Sequence, residues 1–478
     1  MHVNYDSYTN DSVCDALLVC LSITFVVDLF ANAYSLTTVI MNQGKYMNSI
    51  LMNKSVPVIG QYDVIVCGGG PAGWIAAVAA ARNGAKTALI ERYGFLGGAA
   101  TASLVTPISE FNKNGRRIIG GIPWEFVEKM DAEGAADITY RNGNIPYEPE
   151  MYKLVAQRMV LEAGVDLFLH SYIIDVHNEG KCVTHIIAVN KSGIQAMEGR
   201  IFIDATGDAD VAYMAGVPMQ KMPIADQLQP ASMCLRLSGV DTDHLEGLYP
   251  SEENTKYRNE RVRDILLSLP DNTVPPMGGP WFCTTLRDGI VNVNITRRPA
   301  DITDNRQVSE TECSLREDAI CFAELLRRYV PQFEKSFLIA TGVQAGYRET
   351  RRIVGAHILT GEEYIRSEEF PDTVAKGAHP VDIHRAESIR QDVTFLKKEG
   401  NVPYRSLYSK EIMNLLVAGR CLSADEVASA STRVQASCMA TGQAAGTAAA
   451  LCCKMKCAVS EISVDLLRNT LTSQYAII

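Results

Sequence analysis

Three glycines, Gly68, Gly70 and Gly73, stand in G-x-G-x-x-G spacing directly after the apolar run Val64-Ile65-Val66. That spacing suits a diphosphate. The first glycine permits a tight turn, the second lets a pyrophosphate reach the backbone, and the third lets helix and strand pack closely. Pro71 and Ala72 open the helix that follows, whose first N–H groups and positive dipole end point at the phosphates. Glu91 closes the next apolar run, with Arg92 behind it. A carboxylate there accepts from a ribose hydroxyl and repels a 2′-phosphate, which argues against NADP. Glycines alone are weak evidence. Their place between two strands, with the acid following, makes this a dinucleotide site.

The elements that must hold these residues are legible around them. A strand is expected from Tyr62, an Ala-rich helix over Pro71–Arg82 ending before Gly84, and a second strand over Thr87–Ile90. Residues 121–134 and 148–163 carry amphipathic helical patterns, and alternation at 166–176, 182–190 and 199–204 predicts strands. From 216 to 400 the chain is more polar and less regular, with strands expected at 231–239 and 289–296 and a helix at 308–328. The apolar core then returns, as a short strand over Leu415 to Gly419 and a long Ala/Gly-rich helix over Val434 to Cys452. The expected class is α/β: a Rossmann-like FAD/NAD(P)-binding fold in two parts, 58–215 and 401–478. A mixed α+β substrate domain, 216–400, is inserted between them, and residues 1–57 are a poorly ordered extension.

The whole chain, 478 residues with a net charge of -10 and no Lys/Arg block, has room for two or three domains. It makes a poor partner for nucleic acid or anionic lipid. Its 13 cysteines include no C-x-x-C pair, so zinc-ribbon, thioredoxin-like and ferredoxin spacings are absent and no metal is expected. Buried reduced thiols in the cytoplasm are the plain reading. Near the N-terminus, residues 16–27 form an apolar run followed by Ala31-Asn32-Ala33, like a secretory h-region. Yet residues 1–15 hold no Lys or Arg and carry Asp6, Asp11 and Asp15. The run is also shorter than the ~20 residues a spanning helix needs. An extension, or a start at Met47 or Met52, fits better.

Three further stretches decide between FAD and NAD: Leu96-Gly97-Gly98-Ala99-Ala100-Thr101, Asp204-Ala205-Thr206-Gly207-Asp208, and Leu416-Val417-Ala418-Gly419-Arg420 leading into the last long helix. With Gly346-Tyr347-Arg348-Glu349-Thr350-Arg351-Arg352, Asp382-Ile383-His384, and Val434-Gln435 ahead of Gly442-Gln443-Ala444-Ala445-Gly446, the pattern resembles a bacterial FAD-dependent oxidoreductase family, one that includes xanthan-lyase-like proteins. The resemblance runs roughly from residue 60 to 470. It implies non-covalent FAD lying extended along the sheet, and transfers cofactor and fold rather than a reaction. By the same resemblance Gly97, Gly98 and Thr101 line the flavin side, and Ala205, Thr206 and Gly207 the adenosine half. Gly419, Val434 and Gln435 face the flavin's pyrimidine edge, where a helix N-terminus stabilises negative charge.

No second G-x-G-x-x-G occurs between 216 and 400, and no redox cysteine pair accompanies the first, so a two-dinucleotide reductase is excluded. Electrons must come from or go to a separate partner. For the substrate, Arg297, Arg298, Arg348, Arg351 and Arg352 suit capture of an anion, with internal ion pairs to Glu349 and its neighbours as the plainer alternative. His384, two residues after Asp382, suits a general acid/base oriented by a carboxylate, or else a structural histidine. Cys421 and Cys438 read as buried thiols. The expected function is two-electron chemistry by FAD on a small, anionic metabolite, with Arg348, Arg352 and His384 as the catalytic set. The rival is a flavoprotein scaffold or RNA-modifying protein of the glucose-inhibited-division type, which calls for a basic surface that this charge balance lacks.

Overall fold

In the computed structural model, described over residues 50, 52–139, 143–222, 227–243, 255–270, 272–386, 388–389 and 391–478, the run Val64–Cys67 is fully buried mid-sheet. Apart from 50 and 52–57, the expected extension 1–57 and its apolar run lie outside the described residues. Strand β1 spans Val58–Cys67, so it starts before Tyr62: Val58 and Gln61 already pair with Ala196 and Glu198. The alternation of that first half is hidden by Gly60. Helix α1, Pro71–Arg82, follows directly on Gly70, and β2, Thr87–Ile90, runs parallel to β1 with Val66 opposite Leu89.

Helices α2 (Ile122–Ala132) and α3 (Pro149–Glu162) cover this part, their rings meeting Trp74 of α1 through Phe126 and Tyr152. The alternating stretch expected at 166–176 is two strands, β3 (Asp166–Phe168) and β4 (Tyr172–Glu179). His170, at φ 51°, turns the chain between them. Strands β5 (Cys182–Asn190) and β6 (Gly193–Asp204) complete the sheet order β3-β2-β1-β6-β5-β4.

A second, antiparallel sheet has the order β8-β9-β7-β10, from β7 (Leu235–Ser238), β8 (Met277–Thr284), β9 (Ile290–Thr296) and β10 (Phe337–Thr341). Helix α4, Asn305–Tyr329, is capped by the Asp304 carboxylate accepting from the Arg306 and Gln307 amides. Its apolar stripe (Leu315, Phe322, Leu326) buries against Leu235, Leu237, Val291 and Val293, a core of its own beside the main one. A two-stranded hairpin follows, β11 (Val381–His384) on β12 (Gln391–Thr394).

The chain then returns to the first sheet. Strand β13, Leu415–Val417, pairs in parallel with Phe202–Asp204 of β6, beyond the point where β5 leaves off. Helix α5, Gln435–Met455, lies along α1. Any Cβ at Gly442 or Gly446 would overlap the carbonyl oxygens of Ala72 and Ala76, so the small residues are there to let the two backbones touch. Among the described residues no helix is long and apolar enough to cross a membrane.

Candidate active site

The carboxyl ends of β1, β2, β6 and β13 open on one cleft of about 650 Å³, the crevice where open α/β sheets bind ligands. At its nucleotide end stand Gly68, Gly70, Pro71 and Ala72, with Glu91, Arg92, Ala205, Thr206 and Gly207 around them. Gly68 sits at φ 97°, and a Cβ there would press 2.6 Å from the Ala205 carbonyl oxygen. The α1 N-terminus has no side-chain cap, so its first-turn amides are open to phosphate. Glu91 is buried, accepts from the Gly69 amide at 2.6 Å and the Tyr93 amide at 2.8 Å, and has its pKa raised by burial against those bonds. Thr206 donates through Oγ1 to Asp204 Oδ1 at 2.7 Å, which fixes the 204–207 turn.

Further along lie Gly98, Gly419, Val434 and Gln435. Val434, the N-cap of α5, also leaves that helix without a side-chain cap, and Gln435 Oε1 is buried with no partner among the described residues. Two uncapped helix N-termini joined by glycine-walled backbone fit an extended dinucleotide, with phosphates at α1 and an electron-rich ring edge at α5. The residues fit FAD.

Four of the expected site residues do not line the cleft. Gly73 stands behind its wall, where a Cβ would overlap the Gly68 carbonyl oxygen, so its part is helix–strand contact. Gly97, at φ 112°, and Thr101, donating to the Leu96 carbonyl at 2.8 Å, shape the turn that presents Gly98. Arg352 is buried elsewhere, bonded to Glu349 at 2.9 Å and to the Ala424 carbonyl at 2.9 Å. The expectation that it binds substrate is therefore corrected: its charge is already spent on an internal pair. Arg298 pairs with Asp318 at 2.6 Å and Arg351 with Asp210.

The far end of the cleft holds the titratable groups. Arg348 lines it and donates through Nη1 to the Pro230 carbonyl at 2.5 Å and Ser232 Oγ at 2.8 Å. Arg433 spends its guanidinium on Gln229 Oε1 at 3.0 Å and the carbonyls of Arg348 and Asp382. Arg297 donates to His384 Nδ1 at 2.9 Å and to the carbonyls of Arg385 and Ser388. Among the described residues none of the three forms an ion pair. Burial, then the Arg348 charge, lowers Arg297 and Arg433 to about 10, and burial lowers Arg348 as well.

His384 donates from Nε2 to Asp382 Oδ2 at 3.0 Å, since a guanidinium can only donate and so fixes Nδ1 as the acceptor. Both ring nitrogens are engaged. Burial lowers its pKa to about 3 and keeps the ring neutral. Asp382 is pushed up by burial but held lower by the His384 bond and the charges around it, and its Oδ1 is buried without a partner among the described residues.

Three cleft residues escaped the sequence reading. His379 lines the cleft with no ring hydrogen bond among the described residues; its Nδ1 is buried, and burial lowers its pKa to about 4. Glu110 lines it with a pKa raised by burial to about 7. Both are lone residues in loops and leave no sequence signal. Arg433 is the C-cap of a short helix over Glu426–Thr432, where a cation is ordinary, so it too leaves no signal.

A family model described as FAD dependent oxidoreductase matches residues 63–471. The chain belongs to that family. Dihydrolipoyl dehydrogenase of Trypanosoma brucei brucei is 48% identical over 48 residues, 10% of each chain. Digeranylgeranylglycerophospholipid reductase of Methanococcus aeolicus is 28% identical over 173 residues, 34% of this chain and 42% of that protein. The chain thus spans less than half the length of either relative. Among solved structures, a geranylgeranyl bacteriochlorophyll reductase-like protein from Thermoplasma acidophilum is similar with a TM-score of 0.41 at 15% identity, over 87% of this chain and 84% of that one. A flavin-dependent brominase reaches 0.47 at 14% identity, over 86% and 83%. As a member of this family, the chain is an FAD-dependent enzyme.

Proposed function

We propose that this FAD-dependent oxidoreductase carries out two-electron chemistry on a small anionic metabolite, with a separate electron donor or acceptor completing the cycle. The observation that supports it most is the cluster of Arg348 and Arg433, half-buried in the cleft wall, with Arg297 buried against His384, all three bonded to carbonyls, Ser232, Gln229 and His384 instead of carboxylates. The three guanidiniums carry more positive charge than the Asp382 carboxylate between them balances, and an anion offsets the excess. Bound FAD supplies the hydride acceptor or donor.

The chain supplies position and protons. Arg348 keeps Nε and Nη2 without partners among the described residues, ready for one anionic group. His384, engaged at both nitrogens, is assigned to positioning, holding Arg297 and Asp382. His379 is the imidazole with a nitrogen to spare, and it carries the substrate's proton. A cytoplasmic setting belongs to the same reading, because its thiols suit a reducing compartment. An anaerobic screen of the purified protein, following the flavin visible band, tests it. Carboxylates or phosphates should bleach the flavin and their neutral amides or alcohols should not; bleaching by neutral compounds alone would sink the reading.

A further inference from the structure

The hairpin that carries Asp382 and His384 has a second strand whose side chains alternate between its two faces. Asp382 stands opposite Val393 and His384 opposite Gln391. Gln391 and Val393 therefore share the face of Asp382 and His384, Phe395 follows just past the strand's end, and all five line the cleft. Two of them are apolar and wet: Val393 is 40% exposed and Phe395 74%. From the second sheet, Trp281 lines the same cleft, with its ring 5.2 Å from that of His384 and 6.0 Å from the Arg297 guanidinium. Phe282 beside it also lines the cleft. An isolated exposed phenylalanine needs no explanation, but an apolar row set against an aromatic wall at the door of a cationic pocket does.

We infer that the site takes an amphipathic carboxylate, one anionic head joined to a flat apolar or aromatic body. This rests on the proposed anion-binding role of the arginines. The head lies at Arg348, where a guanidinium edge is free, and the body lies between Val393 and Phe395 on one side and Trp281 on the other. A small, wholly polar acid would satisfy Arg348 and leave this row in water. The body covers it, and burying a ring-sized surface is worth about tenfold or more in affinity.

Equilibrium dialysis of the FAD-loaded protein against radiolabelled benzoate, acetate and benzyl alcohol separates the two halves of the inference. Benzoate should bind at least about tenfold tighter than either of the others. The double variant Val393→Ser, Phe395→Ser changes only exposed side chains, and should weaken benzoate about tenfold while leaving acetate unchanged. Acetate binding as tightly as benzoate would overturn the apolar half. Benzyl alcohol matching benzoate would overturn the anionic half, and with it the proposed function. Binding of none of the three would overturn the inference outright.

Discussion

Two histidines five residues apart, His379 in the loop before β11 and His384 at the strand's end, are in opposite states. His384 has given both nitrogens to neighbours, while His379 has given neither, and only the second can take up a proton without breaking a bond. His379→Asn should keep its flavin and lose about 100-fold or more in flavin reduction rate with the best compound of the anaerobic screen; an unchanged rate would remove it from the mechanism. His384 and His379 also make an acid-side signature. Their folded pKa values, about 3 and about 4, lie below the ordinary 6.5, so the stability they confer is complete above pH 6.5. It is lost as the pH falls from 6.5 through those values, because the unfolded chain takes up the protons first. The melting temperature should therefore drop over that window, and His384→Gln should drop less steeply than the natural protein. Equal slopes would mean that His384 does not stay neutral in the fold.

At the scale of elements, the contact between α1 and α5 sets how far the second helix's N-terminus reaches into the cleft. Gly446→Leu places a side chain where the Ala76 carbonyl already is. Overpacking of this kind costs about 1–3 kcal/mol, and here it should also release FAD, because α5 is displaced from the ring edge. A melting curve with flavin fluorescence reads both; normal flavin retention would show that α5 is not a cofactor element. Helix Pro71–Arg82 was legible to the residue, since proline starts it and Gly84 follows its end. The strand before it was not, because its first half pairs with a strand far along the chain. Of the hairpin 381–394 only the spacing of Asp382 and His384 on one strand face could be read; its strands are four residues each and paired only with one another, so the partner strand left no signal. The glycines and Glu91 could be read because phosphate and ribose demand particular residue types at particular spacing. His379, Glu110 and Arg433 could not be grouped, because only the folded chain brings three distant loops to one cavity.

For the molecule as a whole, the first sheet is closed by β13 and α5, which arrive after the second sheet and the hairpin have been threaded across the cleft. That path puts the nucleotide cradle, the α5 N-terminus and the arginines in one continuous cavity. On this reading the flavin end of FAD lies at α5, within the field of Arg433. Potentiometric titration of the FAD-loaded protein tests this most directly, with flavin content and melting temperature recorded alongside. Removing a positive charge beside a ring that gains electrons disfavours the reduced form. Arg433→Gln should therefore lower the two-electron midpoint potential by about 30 mV or more, equivalent to roughly 1.4 kcal/mol. An unchanged potential in a folded, flavin-replete variant would mean that the redox-active ring lies elsewhere.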